Sequence, residues 1–490
     1  MMGIQAIFSP PAPAVCRQRG AIAVMFAALL VLMLTFMGLA LDLSRLYNRK
    51  VELQALADAA ALAAARSLTG TQGGITNASV AASNAASALK TSYDTTPVNW
   101  SPGALTFAAT PDSTVWIDAG AANAAPATLM FARVDTAQLD AGLGTIETIL
   151  MRIVSDQQTA NASARAVAGR STINVTPLAI CALSPVAASS RAPGGELVQY
   201  GFRRGVGYDL MQLNPNPGAT TGEHFVINPI DPAGQLGSAN NAAPDIVSPF
   251  VCAGEMPITL LQGLQLTVRR PFPLGSLYQQ LNSRFDQYDG GYCTPAAAAP
   301  DKNVKAYTYD SGVNWLTTQP TMQTAMSATS ASLGLRTIAD FPNAAGNAAN
   351  QFGVLWSYAK PVPFSAYSAG VPEPASGYTP FNKTVWPTLF APAGTPVPKA
   401  NYPATTPYLA SGGANYSTHD ASHGLGLRQR RVLNVPLLAC PVAAGANVQA
   451  TVLAIGRFFM TVPATPSSIS GEFVGIAAEG SLGGAVELYQ

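Results

Sequence analysis

The sequence predicts an α+β protein in which an N-terminal transmembrane helix continues into a long extramembrane helix packed on antiparallel sheet, followed by a large β-rich, loop-rich ectodomain. Three observations predict this fold class. Residues 20–41 form an uncharged apolar run, residues 44–68 keep a helical period without proline or glycine, and β-rich runs separated by turn residues recur afterwards. The β-rich runs are 112–120, 127–136, 148–156, 171–183, 430–440, 447–462, 471–478 and 484–490, and the last four are expected to form an antiparallel meander. Because each amphipathic face needs a cover, we expect the long helix to lie on the first of these strands.

The apolar run at residues 20–41 predicts a membrane span. Its 22 residues contain no charged side chain, and a helix of roughly 20 residues crosses the ~30 Å hydrocarbon core of a bilayer. A secretory signal peptide is the alternative, but its apolar region is usually about 7–15 residues long and is followed by a small-residue cleavage site. We therefore expect a retained single-pass anchor. Basic residues stand on both sides of the run, so they give no orientation.

Residues 44–68 are interpreted as a continuation of the same helix. The residues that share its apolar face are Leu53, Leu56, Ala60 and Ala64. The polar residues that repeat every four positions on another face, in water, are Lys50, Gln54 and Asp58. Thr69 and Gly70 are expected to end the helix. After it, Asn77 or Ser79 is expected to cap a short helix that ends near Lys90. The small alanines predict a docking face that admits another helix or a sheet, although alanine is also simply the best helix former.

The order of residues in this stretch resembles a known family. The segments "QRGAIAVMFAALLVLMLTFMGLALDLSRLY" and "KVELQALADAAALAAA" resemble the N-terminal module of the TadE/TadG-like proteins of tight-adherence (Flp-type) pilus systems. The residues that match the family pattern in order are Gly20, Asp42, Arg45, Leu46, Tyr47, Leu53, Gln54, Ala57, Asp58 and Leu62. The resemblance implies a membrane-anchored pilus-assembly protein whose long helix packs on a sheet, as in pilins.

Two departures from related proteins bear on the site. Many longer relatives carry a von Willebrand factor A-like domain with a metal site that begins Asp-x-Ser-x-Ser. Here the nearest match begins at Asp42 and Ser44, but it lacks the final serine of the motif and stands at the membrane edge. We therefore interpret Asp42 and Ser44 as interface polar residues. Prepilins have a glutamate at the fifth position after the processed glycine, whereas this chain has Met25. We therefore expect no cleavage after Gly20.

Composition and resemblance together predict that the chain is divided into five segments. They are a cytoplasmic N-terminal segment (1–19), a transmembrane anchor (20–41), a juxtamembrane helix (42–70), a pilin-like α+β domain (71–185) and a β-rich ectodomain (186–490) with a proline-rich loop (361–407). That loop is too rich in proline for a helix. An ordered loop pinned by aromatic residues is the favoured interpretation, and an extended recognition strip is the alternative.

A search for catalytic and metal motifs finds little. G-x-S-x-G, the P-loop, H-E-x-x-H and C-x-x-C are all absent. The groups considered as metal or catalytic candidates, and interpreted as surface or turn residues, are His419, Asp420 and His423; Asp286, Asp289 and Gly290; and Glu223 with His224. We predict no catalytic residue, no metal and no cofactor.

Charge excludes one class of partner. Charged residues make up 11% of the chain and the formal net charge is +1, so no basic surface for nucleic acid is expected. The densest basic cluster, Arg428, Arg430 and Arg431, is interpreted as a solvated strand edge.

Four cysteines stand beyond the span, an even number that suits an oxidising compartment. They are Cys181, Cys252, Cys293 and Cys440, and four cysteines allow three pairings. The favoured pairing is Cys252–Cys293, because the loop-rich segment between them gains from a crosslink. Cys181–Cys440 would then tie an early strand to a late one.

The predicted function is that of a non-enzymatic, membrane-anchored component of tight-adherence pilus assembly, pseudopilin-like or an assembly or adhesion factor. The expected location is the bacterial inner membrane, single-pass, with the C-terminal ectodomain in the periplasm. The expected partners are inner-membrane lipid and other pilus-assembly proteins or pseudopilins; a homo-oligomer is left open. The alternatives are an anchored periplasmic hydrolase or metal-binding protein, and a surface adhesin.

Overall fold

The computed structural model describes residues 19–68, 72–91, 96–126, 129–140, 142–149, 151, 158–192, 194–216, 221–230, 237–257, 263–307, 324–325, 327–330, 334–337, 352–353, 358–374, 376–389 and 405–489. The helices are α1 (Arg19–Ser67), α2 (Gln72–Ala88), α3 (Ala119–Ala124), α4 (Pro244–Ala253), α5 (Leu274–Asn282) and α6 (Trp386–Leu389). The strands are β1 (Lys90–Thr91), β2 (Thr96–Pro97), β3 (Leu105–Ala108), β4 (Phe131–Asp135), β5 (Thr145–Glu147), β6 (Thr159–Asn161), β7 (Arg165–Arg170), β8 (Leu178–Cys181), β9 (Ser189–Arg191), β10 (Glu196–Gln199), β11 (Phe202–Arg203), β12 (Gly207–Asp209), β13 (His224–Ile227), β14 (Gln265–Arg269), β15 (Thr324–Ala325), β16 (Ser327–Ser330), β17 (Gly334–Thr337), β18 (Phe352–Gly353), β19 (Val432–Leu438), β20 (Val448–Met460), β21 (Ser470–Ala477) and β22 (Val486–Tyr489).

Helix α1 runs through the predicted span and the predicted juxtamembrane helix without a break. It has 49 residues, and the residues expected to end it, Thr69 and Gly70, lie outside the described part. Helix α2 returns along α1 and buries small side chains, among them Gly74, Ala78 and Ala82, at intervals of four residues. The sequence predicted this second helix to begin only at Asn77 or Ser79. It begins earlier because a glycine on the buried face permits close packing and does not break the helix.

The first sheet has four antiparallel strands in the order β22–β7–β4–β3. A row of small and aromatic residues crosses it, with Phe107 opposite Ala132 and Ala132 opposite Ala168. All three side chains belong to one apolar cluster with the alanines of α1 and α2. We call α1 beyond the span, α2 and this sheet the helical unit. The fold class is confirmed as α+β, with the long helix laid on antiparallel sheet.

The second sheet has seven strands in the order β12–β21–β20–β14–β13–β8–β19. Strand β19 pairs with β20 as well as with β8, so β20, β14, β13, β8 and β19 form a closed ring. Alternate residues of β8 enter different apolar clusters: Ile180 lies with Phe458 on one side, and Cys181 lies with Val452 on the other. Helices α4 and α5 contribute to the larger cluster. Phe202 of a separate three-stranded sheet, β11–β10–β9, also belongs to this cluster. We call the seven-stranded and three-stranded sheets, together with the helices and loops packed on them, the seven-stranded unit.

The four runs predicted as late strands all form strands, β19 to β22, but their pairing is not a simple meander. Strand β19 pairs with β8 in parallel, and β22 leaves the seven-stranded sheet to pair with β7 in the first one. The sequence placed β8 in the range 71–185 and β22 in the range 186–490. The predicted domain boundary at residue 185 stays a prediction. Each of the two sheets contains strands from before and after this residue.

Two earlier runs behave differently from the late ones. The run 112–120 was expected to be β-rich, but within it only Ile117 forms an isolated bridge, to Phe107. The run 148–156 lies largely outside the described residues.

The four cysteines form two disulfides, Cys181–Cys440 and Cys252–Cys293, with Cα–Cα distances of 5.6 and 5.7 Å. These are the pairings favoured from the sequence. The first joins the end of β8 to the residues after β19, and the second joins α4 to the loop that follows α5.

The described part of the proline-rich loop is ordered by backbone pairing with β10. Leu197 donates its N–H to the Val362 carbonyl at 2.9 Å, and the Phe364 N–H donates to Gly195 at 2.8 Å. This supports the ordered-loop interpretation for residues 361–374. One turn of helix, α6, also occurs here, although the sequence predicted none. Residues 390–404 lie outside the described part.

Candidate membrane anchor and assembly surface

The apolar half of α1 is exposed along its length. Large side chains from Ile22 to Leu41 remain open to the surroundings, and only 6% of the most apolar window is buried. A core helix of a soluble protein would bury these residues against the rest of the chain. Length, composition and exposure together suit a membrane anchor of a single-pass protein.

Asp42 connects the end of this span to the folded part of the chain. It is 5% exposed, and its two carboxylate oxygens accept the N–H groups of Ile149 at 3.0 Å and Met151 at 2.8 Å. One turn further on, Arg45 donates to the Glu147 carbonyl at 3.3 Å. Charge-assisted bonds of this kind are stronger than neutral ones. Asp42 and Arg45 therefore hold the folded part to α1 directly after the span.

The predicted docking face is occupied by the chain itself. Leu53, Leu56, Ala60 and Ala64 are all 0–1% exposed and belong to the cluster that α1 forms with α2 and the first sheet. The expectation of a close approach by a helix or sheet therefore describes an internal contact. The prediction that a second protein docks on this face is therefore corrected, because α2, β4 and β7 already cover its small side chains.

The polar residues of the family pattern also work within the chain. Gln54 donates to the Asp58 carboxylate at 2.7 Å and to the Arg165 carbonyl of β7 at 3.2 Å. Both side chains are half-buried. On the face expected to stay in water, Gln54 therefore fixes α1 to the sheet, whereas Lys50 is exposed as predicted.

A different stripe of α1 remains exposed, and sequence reasoning missed it. Leu43, Tyr47 and Val51 are 60%, 67% and 51% exposed and follow one another at intervals of four residues. They continue the open surface of the span beyond its end. The i, i+4 spacing of large side chains could have signalled this stripe, but the alanine-rich face appeared the more regular pattern. We call Leu43, Tyr47 and Val51 the exposed stripe.

Four of the residues considered as metal or catalytic candidates, Asp286, His419, Asp420 and His423, are engaged in local structure. His423 contacts an Asp286 carboxylate oxygen at 2.7 Å through Nδ1, and Asp286 also accepts the Asp420 N–H at 2.6 Å. His419 accepts the Gly426 N–H at 3.0 Å. These contacts fasten the loop around residue 420 to the end of α5.

Among the described residues, one group of three potential metal ligands lies close together: Cys181, Glu223 and Cys440. Two of its members are bonded to each other in a disulfide. A cysteine binds a metal ion as its thiolate, and the sulfur atoms of a disulfide are not thiolates, so this group offers no sulfur ligand.

The comparisons with known proteins concern the same helix. Residues 20–67 match the model of a family described as "Putative Flp pilus-assembly TadE/G-like". This segment is TadE/G-like. The resemblance read from the sequence is confirmed for it, and the match coincides with α1 almost from end to end. No curated protein and no solved structure matches the chain.

The TadE/G-like segment therefore contains the whole span and the helix that anchors the first sheet. Its characteristic residues have separable roles in the structure. Asp42 and Gln54 bind the helix to the rest of the chain, Leu53 and Ala57 fill the cluster, and Tyr47 remains exposed.

Proposed function

We propose that the chain is a non-enzymatic, single-pass component of tight-adherence pilus assembly that acts through contacts with other pilus-assembly proteins. The observation that supports this is the TadE/G-like match over residues 20–67, the same helix that carries the exposed apolar span. An anchor that continues rigidly into a folded unit holds that unit at a fixed height above the membrane. Such a protein can present a surface to other anchored proteins without any chemistry of its own.

The disulfides support a periplasmic ectodomain. Cys181–Cys440 and Cys252–Cys293 both lie beyond the span, and disulfides persist in oxidising compartments such as the periplasm but rarely in the cytosol. The anchor then lies in the inner membrane with residues 42–490 on the periplasmic side.

The exposed stripe is the surface that we assign to the partner. At about 1.5 Å per residue, Val51 lies roughly 15 Å beyond Leu41. The headgroup layer covers only about 5–8 Å on each side of the hydrocarbon core. Lipid can therefore cover Leu43 and contact Tyr47, but it leaves Val51 exposed. A protein that covers all three must itself stand at the membrane surface, so the proposed occupant is the membrane-anchored helix of another pilus component.

The non-enzymatic role is supported by the state of the reactive groups in the described residues. The four cysteines beyond the span are in disulfides, and His419 and His423 hold a surface loop in place. The alternatives of an anchored hydrolase or metal-binding protein gain no observation from these contacts.

The experiment compares strains that lack the chain with strains that carry it or a variant. Cells without the chain should lose their pili, and the wild-type chain should restore them. The variant Leu43→Ser/Tyr47→Ser/Val51→Ser should remain in the membrane fraction at normal level but restore fewer than about a tenth of the pili. Its matched control is Val80→Ser, since Val80 is 54% exposed on α2 in the same unit.

The two parts of the proposal fail separately. Normal pili in cells without the chain would overturn the role in pilus assembly. Normal pili with the triple variant would overturn only the exposed stripe. Labelling of the ectodomain on intact cells would instead favour a surface adhesin.

A further inference from the structure

A polar cavity lies between the end of α4, the turn after α5 and the start of β19. Its volume is about 280 Å³, and its lining includes Arg284, Arg428 and Arg430 together with Thr176 and Asn434. One carboxylate, that of Glu255, also lines it. The cavity therefore carries three guanidinium groups against one acid.

Arg284 is the residue that makes this cavity unusual. It is 1% exposed, and Nη1 donates to the Val251 carbonyl at 3.1 Å. Its Nε is buried without a hydrogen-bond partner, and no described carboxylate lies within ion-pair distance of it. Burial, and then the like charge of Arg430, lower the pKa of Arg284 well below its ordinary value. A buried charge without a counter-ion is strongly unfavourable.

Two other buried arginines of the seven-stranded unit have either a carboxylate partner or a full set of hydrogen-bond acceptors. Arg203 is equally buried, and its Nε lies 3.0 Å from the carboxylate of Glu196. The guanidinium of Arg431 donates to the carbonyls of Met460, Thr461, Asn303 and Lys305. Arg284 thus differs from them in lacking both an acid and a full set of acceptors.

The backbone leaves space for the Arg284 guanidinium. Gly254 ends α4 with φ +76°, a left-handed conformation that favours glycine. A Cβ on this residue would lie 2.8 Å from Nη2 of Arg284. The position therefore suits glycine both by its backbone angle and by the room that the guanidinium needs.

Arg430 is fixed beside it by backbone carbonyls. Its guanidinium donates to Ala299 at 3.0 Å, Ala253 at 2.5 Å and Cys252 at 2.9 Å. The Cys252–Cys293 disulfide holds the chain segment that supplies one of these carbonyls. Burial lowers the pKa of Arg430, an effect that Tyr288, Glu255 and Asp301 oppose. Two guanidiniums are thus held side by side without being neutralised by an ion pair.

We propose that this cavity is an anion-binding site, in which Arg284, Arg428 and Arg430 take an oxyanion-bearing ligand of the carboxylate or phosphate class. The planar guanidinium fork matches these groups and binds them through paired hydrogen bonds. A second cavity of about 280 Å³ shares the lining residues Gln429, Val432 and Asn434 with the first.

The test uses the full-length chain in detergent micelles, titrated calorimetrically with inorganic phosphate and with citrate at constant ionic strength in chloride. At least one of the two should bind saturably, and which one does so distinguishes a phosphate from a carboxylate ligand. Arg428→Gln, at an exposed position, should weaken binding about tenfold or more, because one charge-assisted interaction is lost. Arg284→Gln should abolish it. Arg66→Gln, at an exposed arginine of α1, is the matched control and should change nothing.

Glu255→Gln should change the affinity for the anion in the opposite direction. The test therefore remains decisive if Arg284→Gln does not fold. Removal of the single acid from the lining should strengthen binding severalfold. Failure of both probes to bind above the chloride background would overturn the proposal. Binding that neither Arg428→Gln nor Glu255→Gln alters would do so equally.

Discussion

The helical unit and the seven-stranded unit fill their interiors with different residue types. The cluster of the helical unit is dominated by alanine, with Ala57, Ala60, Ala61, Ala64 and Ala65 of α1 all fully buried. The seven-stranded unit buries charged residues: Arg203, Arg284, Arg431, Glu196, Asp301 and Glu472 are 0–1% exposed. The first unit therefore depends on close approach of backbones, and the second on polar partners for its buried charges, such as Glu196 for Arg203. Added volume should damage one, and loss of a partner should damage the other.

The largest expected effect comes from removing a buried charge in the seven-stranded unit. Glu196 binds Arg203 and Arg191 at 3.0 Å each. Glu196→Gln removes the charge of the carboxylate that both guanidiniums contact and should destabilise the protein by about 3–5 kcal/mol. Urea unfolding followed by circular dichroism measures this. Glu487→Gln, at an exposed glutamate, should stay within about 0.5 kcal/mol. Equal losses in both variants would contradict the comparison.

The disulfides give the next largest effect and allow a matched pair. Replacement of Cys181 and Cys440 by Ser removes a crosslink across 259 residues, whereas replacement of Cys252 and Cys293 removes one across 41. Each loss should lower the free energy of unfolding by about 2–5 kcal/mol. Loop-closure entropy predicts that the longer loop loses about 1–2 kcal/mol more. The same unfolding experiment compares them, and a larger loss for the shorter loop would show that strain or local packing outweighs chain entropy.

A smaller effect should follow from added volume in the helical unit. Ala60 is fully buried against α2 and the sheet, so Ala60→Leu overpacks the contact and should destabilise by about 1–3 kcal/mol. Ala55→Leu lies on an exposed face of the same helix and preserves helix propensity equally. The unfolding midpoint should fall only for Ala60→Leu. If the unfolding midpoint falls as far for Ala55→Leu, α1 is covered on that face as well.

The smallest effect is expected in the span. Residues 22–40 are all exposed, except for the buried Gly38 and the half-buried Thr35. Replacement of 21–40 by an unrelated apolar helix of equal length should leave the unfolding midpoint of the ectodomain unchanged and should preserve membrane fractionation. A variant that stays in the membrane but loses pili would show that specific side chains of the span take part in assembly.

The sequence predicted what depends on local pattern. The uncharged run and the helical period gave α1 over its whole length, and the β-rich runs gave β19 to β22. The early start of α2 was missed because Asn77 and Ser79 were interpreted as the capping residues. Local pattern carries no information on pairing, so neither the return of β22 to β7 nor the parallel pairing of β8 with β19 could be read from it.

The candidate site was predicted less completely, for a related reason. The interpretation of Arg428, Arg430 and Arg431 as a solvated strand edge is wrong for Arg431, which is fully buried between the rings of Phe285 and Phe459. A buried arginine is possible only when distant segments supply its acceptors, as residues 303–305 and 460–461 do here. Those partners become neighbours only through the tertiary fold. The alanine face was likewise correct as a packing surface, but the sequence could not show that the chain would cover it.

The pairing of β22 with β7 has a consequence for export. In the periplasmic location that we propose for the ectodomain, the chain crosses the membrane progressively, and residues 171–485 separate the two strands. Strand β7 therefore reaches the far side long before β22 does, and during that interval one of its edges presents unpaired N–H and C=O groups. An open edge of this kind invites pairing with any extended segment nearby, including the same strand of a neighbouring nascent copy. The helical unit is thus complete only late in biogenesis, and the order of emergence, more than its final stability, sets its period of greatest risk of misassembly.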